Sequence, residues 1–279
     1  MSMPRKIRCT VADIIDHGGQ VYTVDLVPAT SVPPFQPGQF LHLTADDYDP
    51  AGFWPESRVF SIASSPRERG RIRICYSVKG RYTTKLEQVL KVGGEVWIKL
   101  PYGDFVINGT SDVVLIAGGT GISAFTAFLQ SLTPQTVPRV TLIYGARIPA
   151  LFLFQDMILS QLAAVPQFDA MFFAENEDAT FTRQLAAHPK SPACHAGRIS
   201  LDAILRPPSS VPCPPSSVLR PPSTALRPPS TALRPPSSVL CPLSSVFYLS
   251  GPPIMLSTLS QQLLARGVPA DLVRTDAWE

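Results

Sequence analysis

The stretch Val113-Val-Leu-Ile-Ala-Gly-Gly-Thr-Gly-Ile-Ser123 constrains the fold more than any other part of the 279-residue chain. Its apolar run, opened by two β-branched valines, reads as a buried parallel strand. Gly118, Gly119, Thr120 and Gly121 break that pattern, and from Ser123 the apolar residues Phe125, Phe128, Leu129 and Leu132 recur at helical spacing. Strand, glycine turn and helix together set backbone N–H groups and a helix N-terminus beneath a pyrophosphate. Glycine suits such a turn because a Cβ would hold phosphates away from the backbone. The spacing is not G-x-G-x-x-G, and a tight ligand-free turn would use the same residues.

The chain changes rhythm on either side of this stretch. Residues 1 to about 107 read as all-β. Gln20–Val27, Phe40–Leu43, Arg71–Val78 and Glu95–Leu100 alternate or carry β-formers between turn signals, which suggests a barrel or sandwich. One helical stretch, Thr83–Val92, interrupts them. From Asp112 onward, strands at Val113–Ala117, Val140–Tyr144, Ala170–Ala174 and Val246–Leu249 alternate with helices at Ser123–Leu132, Phe152–Ala164 and Met255–Ala265. That alternation predicts a doubly wound parallel sheet.

Residues 205–246 follow neither rhythm. They repeat every seven residues, as in Leu-Arg-Pro-Pro-Ser-Ser-Val, and account for much of an unusual total of 30 prolines. Paired prolines forbid a continuous helix, so this is no coiled-coil heptad. Seven residues are also too few for a solenoid unit. The composition favours polyproline II or disorder, as expected of an expansion inside a loop; a docking site for a proline-recognising module is the alternative. The repeat also carries Arg206, Arg220, Arg227 and Arg234 and no acid. Without those four charges the formal net charge of +3 becomes −1, so the basic balance does not point to nucleic acid.

Other compositional signals are mostly exclusions. No stretch of 18 uncharged apolar residues is present, so no membrane span is expected. The first nine residues carry charges without a following apolar run, so no signal peptide is expected, and a reducing cytoplasm is the default. Cys9, Cys75, Cys194, Cys213 and Cys241 are odd in number and scattered, which argues against a disulfide framework, zinc ribbon or plant-type iron–sulfur site. His17, His42, His188 and His195 show no metal spacing.

Four further segments can carry chemistry. In Glu56-Ser57-Arg58-Val59-Phe60-Ser61, Arg58 and Phe60 share one face of a strand and Ser61 takes the other. The pattern joins a phosphate-binding guanidinium, a flat ring and a hydroxyl. Val78-Lys79-Gly80-Arg81-Tyr82-Thr83-Thr84 sets a glycine turn and two hydroxyls at the start of a helical stretch, a second place for an anion or simply a helix cap. Leu100-Pro101-Tyr102-Gly103-Asp104-Phe105 closes the β half. Ser250-Gly251-Pro252-Pro253 ends a strand late in the α/β half.

Taken in order, these segments resemble the ferredoxin–NADP reductase superfamily of flavin and pyridine-nucleotide oxidoreductases. The resemblance covers nearly all residues outside 205–246. It runs through Arg58, Phe60 and Ser61, through Gly80, Thr83 and Leu86, through Pro101, Gly103 and Phe105, through Gly118 to Ile122, and through Ser250 to Pro253. It implies an α+β two-domain fold. An antiparallel β-barrel FAD domain, residues 1–107, would be followed by an α/β doubly wound parallel-sheet NAD(P)H domain, residues 108–279, carrying the repeat as an insertion.

The resemblance also implies transfer of hydride from NAD(P)H to FAD, then of single electrons to a separate acceptor such as a ferredoxin, flavodoxin or oxygenase component. No built-in iron–sulfur domain is expected. By this resemblance Arg58 and Thr83 hold the FAD diphosphate, with Val78, Gly80 and Thr84 nearby. Phe60 flanks the isoalloxazine and Ser61 hydrogen-bonds near N5. Gly118, Gly119, Thr120 and Gly121 receive the nucleotide, and Ser250, Gly251 and Pro252 lie at the nicotinamide; Ser61 and Ser250 are the catalytic candidates. Phe60 stands where Tyr is commoner, so a hydroxyl contact to the flavin is lost while stacking survives; Ser250 stands where Cys is usual, so slower hydride transfer, not its absence, is expected.

The Ser-Arg pair typical of NADPH-dependent members is absent. Glu175 stands there instead, able to accept from a ribose hydroxyl, which favours NADH, while Arg147 argues the other way. Trp278 at the C-terminus is placed to cover the flavin. A flavin or metal-chelate reductase is the alternative within the enzyme class. The alternative outside it is a non-catalytic interaction protein that uses the repeat on a decayed reductase scaffold.

Overall fold

A computed structural model describes residues 3–176, 178–205 and 243–276. Most of the heptapeptide repeat, and Trp278, lie outside the described residues.

The first half is a nearly closed antiparallel barrel of six strands. These are β1 (Arg5–Asp16), β2 (Val21–Pro28), β3 (Phe40–Thr44), β4 (Arg58–Ser61), β5 (Ile72–Ser77) and β6 (Glu95–Tyr102), in the order β4-β3-β6-β1-β2-β5. Beyond the ladder the two edges meet where the Ala63 N–H donates to the Arg73 carbonyl at 2.8 Å. Alternation fills the inside: Ile7, Cys9 and Val11 of β1 and Leu41 and Leu43 of β3 are buried in one apolar core. α1 (Arg81–Val89) closes one end by burying Tyr82 and Leu86. β1, the longest strand, is not among the segments anticipated from sequence. Its outward positions include Lys6, Arg8 and Thr10, and its alternation is broken where the register shifts between Val11 and Asp13.

The second half is a six-stranded sheet in which every pairing is parallel. Its strands are β7 (Val113–Gly118), β8 (Val140–Ala146), β9 (Phe168–Ala174), β10 (Ala193–Ala196), β11 (Val246–Ser250) and β12 (Val273–Asp276). α2 (Ser123–Leu129), α3 (Gln155–Ala164) and α4 (Ala179–Ala187) pack on one face, and α5 (Leu201–Leu205) and α6 (Pro253–Ala265) on the other. The sheet is therefore doubly wound, as the alternation implied. β7 is buried at all six positions, as expected of a strand covered on both faces. α2 is shorter than its apolar spacing suggested, because Gly119–Ile122 form a separate 3-10 turn before it.

The strand order is β10-β9-β8-β7-β11-β12. Successive crossovers run one way from β7 to β10 and then return to the other side at β11. Such a reversal leaves a crevice at the carboxyl ends of the two central strands. Those ends carry Gly118 and Ser250. β11 follows the repeat directly, yet pairs with β7 in unbroken register from Val246↔Val113 to Ser250↔Ala117. The insertion leaves the strand bearing Ser250 in place.

Contacts between the halves fix the crevice against the barrel. The Thr126 hydroxyl of α2 donates to the Ala63 carbonyl at 2.8 Å, just beyond β4. Phe105 packs between Phe125 and Tyr248, edge-on to the latter at 5.5 Å.

Candidate active site

Between the halves lies a cleft of about 960 Å³. The barrel side supplies Phe60, Ser61, Tyr76, Val78 and Thr83, and the sheet side supplies the glycine loop and the start of α6. That volume lies at the upper end of the range for cofactor sites.

Two glycines of the loop are required for different reasons. Gly119 has φ +54, and the direction its Cβ would take is empty for 4 Å, so its backbone turns left-handed against open space. At Gly121 a Cβ would lie 2.3 Å from the Ser250 carbonyl oxygen, so only hydrogen fits between the loop and β11. The buried Tyr144 hydroxyl donates to the Gly119 carbonyl at 3.2 Å and accepts from the Leu153 N–H at 3.0 Å, holding the turn from below. Bare backbone at the mouth, close packing behind it and a strand reversal beneath are what a pyrophosphate cradle requires.

Beside the loop, three side chains distant in sequence converge. Ser250 Oγ donates to Asp276 Oδ2 at 2.9 Å, and Ser61 Oγ donates to the same oxygen at 3.4 Å. All three residues line the cleft and are nearly buried. Ser61 ends β4 of the barrel, Ser250 ends β11 and Asp276 ends β12, so one carboxylate joins both halves. The two serines singled out as catalytic candidates are thus brought together. Asp276 was missed in the sequence, where a single acid near the C-terminus carries no pattern.

The remaining barrel candidates divide. Phe60 belongs to the barrel core, 6.0 Å from the Tyr76 ring, and still lines the cleft. Val78 and Thr83 line it too. Thr83 Oγ1 accepts the N–H of Lys79 at 2.9 Å and of Gly80 at 3.1 Å, which folds the turn before α1. Gly80, Thr84 and Arg58 are not among the lining residues. Arg58 is half exposed; it pairs with Glu56 at 3.3 Å and lies over the Tyr82 ring at 4.9 Å. Glu56 also pairs with Arg81 at 3.1 Å. Cys75 faces the cleft from β5, with burial pushing its thiol up to about 12, so it stays protonated and is no nucleophile.

At the far end of the cleft, charged residues follow three neighbouring strands. Arg147 follows β8, Glu175 follows β9 and Arg198 comes two residues after β10. Glu175 Oε1 accepts from Arg198 Nε at 3.0 Å. Arg198 was not singled out in the sequence, because β10 is only four residues long and rich in small ones. Gly251 and Pro252 line the cleft beside the glycine loop. Among the described residues, no group of three or more His, Cys, Asp or Glu side chains could hold a metal ion. No helix of the described residues is long and apolar enough to cross a membrane.

Barrel, parallel sheet and the cleft between them define the two-domain fold of the flavin–nicotinamide reductases. No protein-family model matches the chain. Similarity to individual proteins is clear. Terephthalate 1,2-dioxygenase reductase component 1 of Comamonas sp. is 33% identical over 139 residues, which is 48% of this chain and 39% of that protein. The NAD(P)H-flavin reductase of Aliivibrio fischeri is 30% identical over 151 residues, 50% of this chain and 61% of that protein. Among solved structures, the flavohem-like FAD/NAD-binding domain of nitric oxide dioxygenase from Vibrio cholerae O1 biovar El Tor matches with a TM-score of 0.65 at 20% identity. That match covers 98% of both chains and concerns the fold alone. The chain matches less than half the length of the first relative and about six-tenths of the second. Relatives and neighbours are ferredoxin-reductase-like FAD/NAD-binding oxidoreductases, in keeping with the resemblance carried by the motifs.

Proposed function

We propose that the protein is an FAD-dependent NAD(P)H oxidoreductase that passes electrons to a separate acceptor, such as a ferredoxin, flavodoxin or oxygenase component. The observation that carries this reading is the sharing of one carboxylate, Asp276, by a serine of the barrel and a serine of the parallel sheet, inside a cleft floored by the glycine loop. The residues present fit both groups. Gly119 offers open backbone to a pyrophosphate, and the aromatic residues Phe60 and Tyr76 line the barrel side of the cleft, where a planar heterocycle would lie.

Bound FAD would take two electrons from NAD(P)H and release them one at a time. The chain's own part is binding, orientation and charge. Thr83 and the turn at Gly80 would receive the FAD diphosphate. Arg58 could join them by exchanging its exposed partner Glu56, an ion pair worth about 1 kcal/mol or less. Asp276 accepts from both serines and so fixes their hydroxyl hydrogens on its carboxylate. Their oxygens are left to accept from a bound N–H, and this positioning role makes Ser61 and Ser250 a coupled pair. The cleft lies between domains, which excludes bulk water once both ligands fill it.

Purified protein titrated with FAD, then assayed anaerobically with NADH and a one-electron acceptor, tests this reading. Retained FAD with acceptor reduction independent of added free flavin is the expected result. Activity that rises in proportion to added flavin would instead favour a flavin reductase, the activity named for the Aliivibrio fischeri relative. Deleting residues 206–242 separates both from an interaction role, since unchanged turnover removes the repeat from the chemistry.

A further inference from the structure

One acid gathers two guanidinium groups where β4 begins. Glu56 Oε1 accepts from Arg58 Nη2 at 3.3 Å, and both carboxylate oxygens of Glu56 accept from Arg81 Nη2 at 3.1 Å. The backbone beneath is fixed by a buried ring: the Tyr82 hydroxyl donates to the Leu43 carbonyl at 3.0 Å and lies 3.2 Å from the Glu56 carbonyl. Arg58 lies over the same ring at 4.9 Å. Close neighbours of both arginines line the cleft, Val59 and Phe60 after Arg58, Lys79 and Thr83 on either side of Arg81, but neither arginine does. Two guanidinium groups and one carboxylate leave a formal charge of +1, with the acid engaged by both.

We infer that Glu56 is a specificity-determining residue that competes with the FAD diphosphate for Arg58 and Arg81, and so sets how strongly FAD is preferred over a flavin without a diphosphate. The inference rests on the FAD-binding reading above. Arg81 opens α1 directly after Gly80, so the second cation comes from the turn that would receive the diphosphate. Side-chain exposure is 50% at Arg58, 86% at Arg81 and 39% at Glu56, so these ion pairs are screened and readily exchanged. A diphosphate brings more charge and more oxygens than one carboxylate to the same planar forks of donors. Glu56 opposes it in two ways: it occupies the donors, and its own charge repels the incoming anion. Because Tyr82 fixes the backbone of Glu56, the acid stays beside the arginines after the exchange. A flavin without phosphates meets neither effect, since nothing on it competes for the guanidinium groups.

Equilibrium dialysis of the full chain against FAD and, separately, against riboflavin reads this preference without NAD(P)H or turnover. E56Q keeps the size of the side chain and removes its charge. It should raise the ratio of FAD to riboflavin affinity by about fivefold, the worth of one exposed ion pair, and leave riboflavin binding unchanged. The gain should shrink at high salt, where the freed cations are screened. Measured in an R81A background, the same substitution should gain less, because one of the two cations held by Glu56 is gone. A gain undiminished there would overturn the part assigned to Arg81. A ratio unchanged or lowered by E56Q, with both flavins still bound, would overturn the competing role of Glu56 and leave the FAD reading standing. Wild-type protein that binds neither flavin would overturn both.

Discussion

The turn at Gly80 and the loop at Gly118–Gly121 are marked by the same sequence logic, glycine before a helix, but the structure treats them oppositely. At Gly121 a Cβ would lie 2.3 Å from the Ser250 carbonyl oxygen, so the protein's own packing demands glycine there. At Gly80 nothing lies within 4 Å of the Cβ position, and φ is −163, extended backbone open to any residue. A glycine explained by packing says little about a ligand. A glycine that nothing in the protein requires points to what approaches from outside. Gly119 combines both features, with positive φ and open space, and so forms the link between the two kinds.

The largest expected effect is at the packed site. G121A should destabilise the protein by about 3 kcal/mol, because both the loop and β11 are backbone and cannot yield cheaply. Denaturant unfolding measures this, and a loss under about 1 kcal/mol would break the contrast with Gly80. Next is the tie between the halves. T126V removes a buried donor from the Ala63 carbonyl and should cost about 1–3 kcal/mol. It should also loosen FAD binding, since it frees α2 from the segment that follows Ser61. Unchanged stability would mean that the Phe105 packing and the Ser61–Asp276 contact hold the halves without it. G80A should leave stability within about 0.5 kcal/mol of the wild type. Its FAD affinity, read by flavin fluorescence, should nonetheless fall several-fold if the diphosphate approaches this turn. Unchanged affinity would reduce Gly80 to an ordinary helix cap.

The smallest effect distinguishes the barrel from the sheet by pH. Burial lowers the pKa of His17 and of His42, both in the barrel. The folded state therefore takes up protons less readily than the unfolded chain. The resulting stability is complete above the ordinary histidine value of about 6.5 and is lost as pH falls below it toward the lowered folded pKa. Both rings are partly exposed, so screening keeps the effect below about 1 kcal/mol. A double H17Q/H42Q variant should show a flatter stability profile between about pH 7 and 5. An unchanged slope would locate the acid sensitivity elsewhere.

What was legible in the sequence follows from where the information lies. The strand, loop and helix at Val113–Leu129 could be read because each level of signal agreed: apolar run, glycines, then helical spacing. The barrel strands β2, β3, β5 and β6 could be read from their alternation. β1 was not read although Ile7, Cys9 and Val11 point inward at every second position; the alternation does not continue past the register shift between Val11 and Asp13. Asp276 escaped for a different reason: its partner Ser61 lies 215 residues away, and that pairing is created only when barrel and sheet meet. Arg198 likewise takes its meaning from strand order, since β9 and β10 are neighbours in the sheet. Motifs carried within one turn of chain were visible, while contacts made across the cleft were not.

The central claim is that this cleft joins a flavin to a nicotinamide. It is tested most directly by anaerobic rapid mixing of FAD-loaded protein with NADH and, separately, NADPH, following the visible flavin absorbance. Bleaching within about a second, inside ordinary turnover times, is expected with at least one of the two nucleotides. A protein that takes up no FAD, or whose bound FAD keeps its absorbance with either nucleotide, would contradict it.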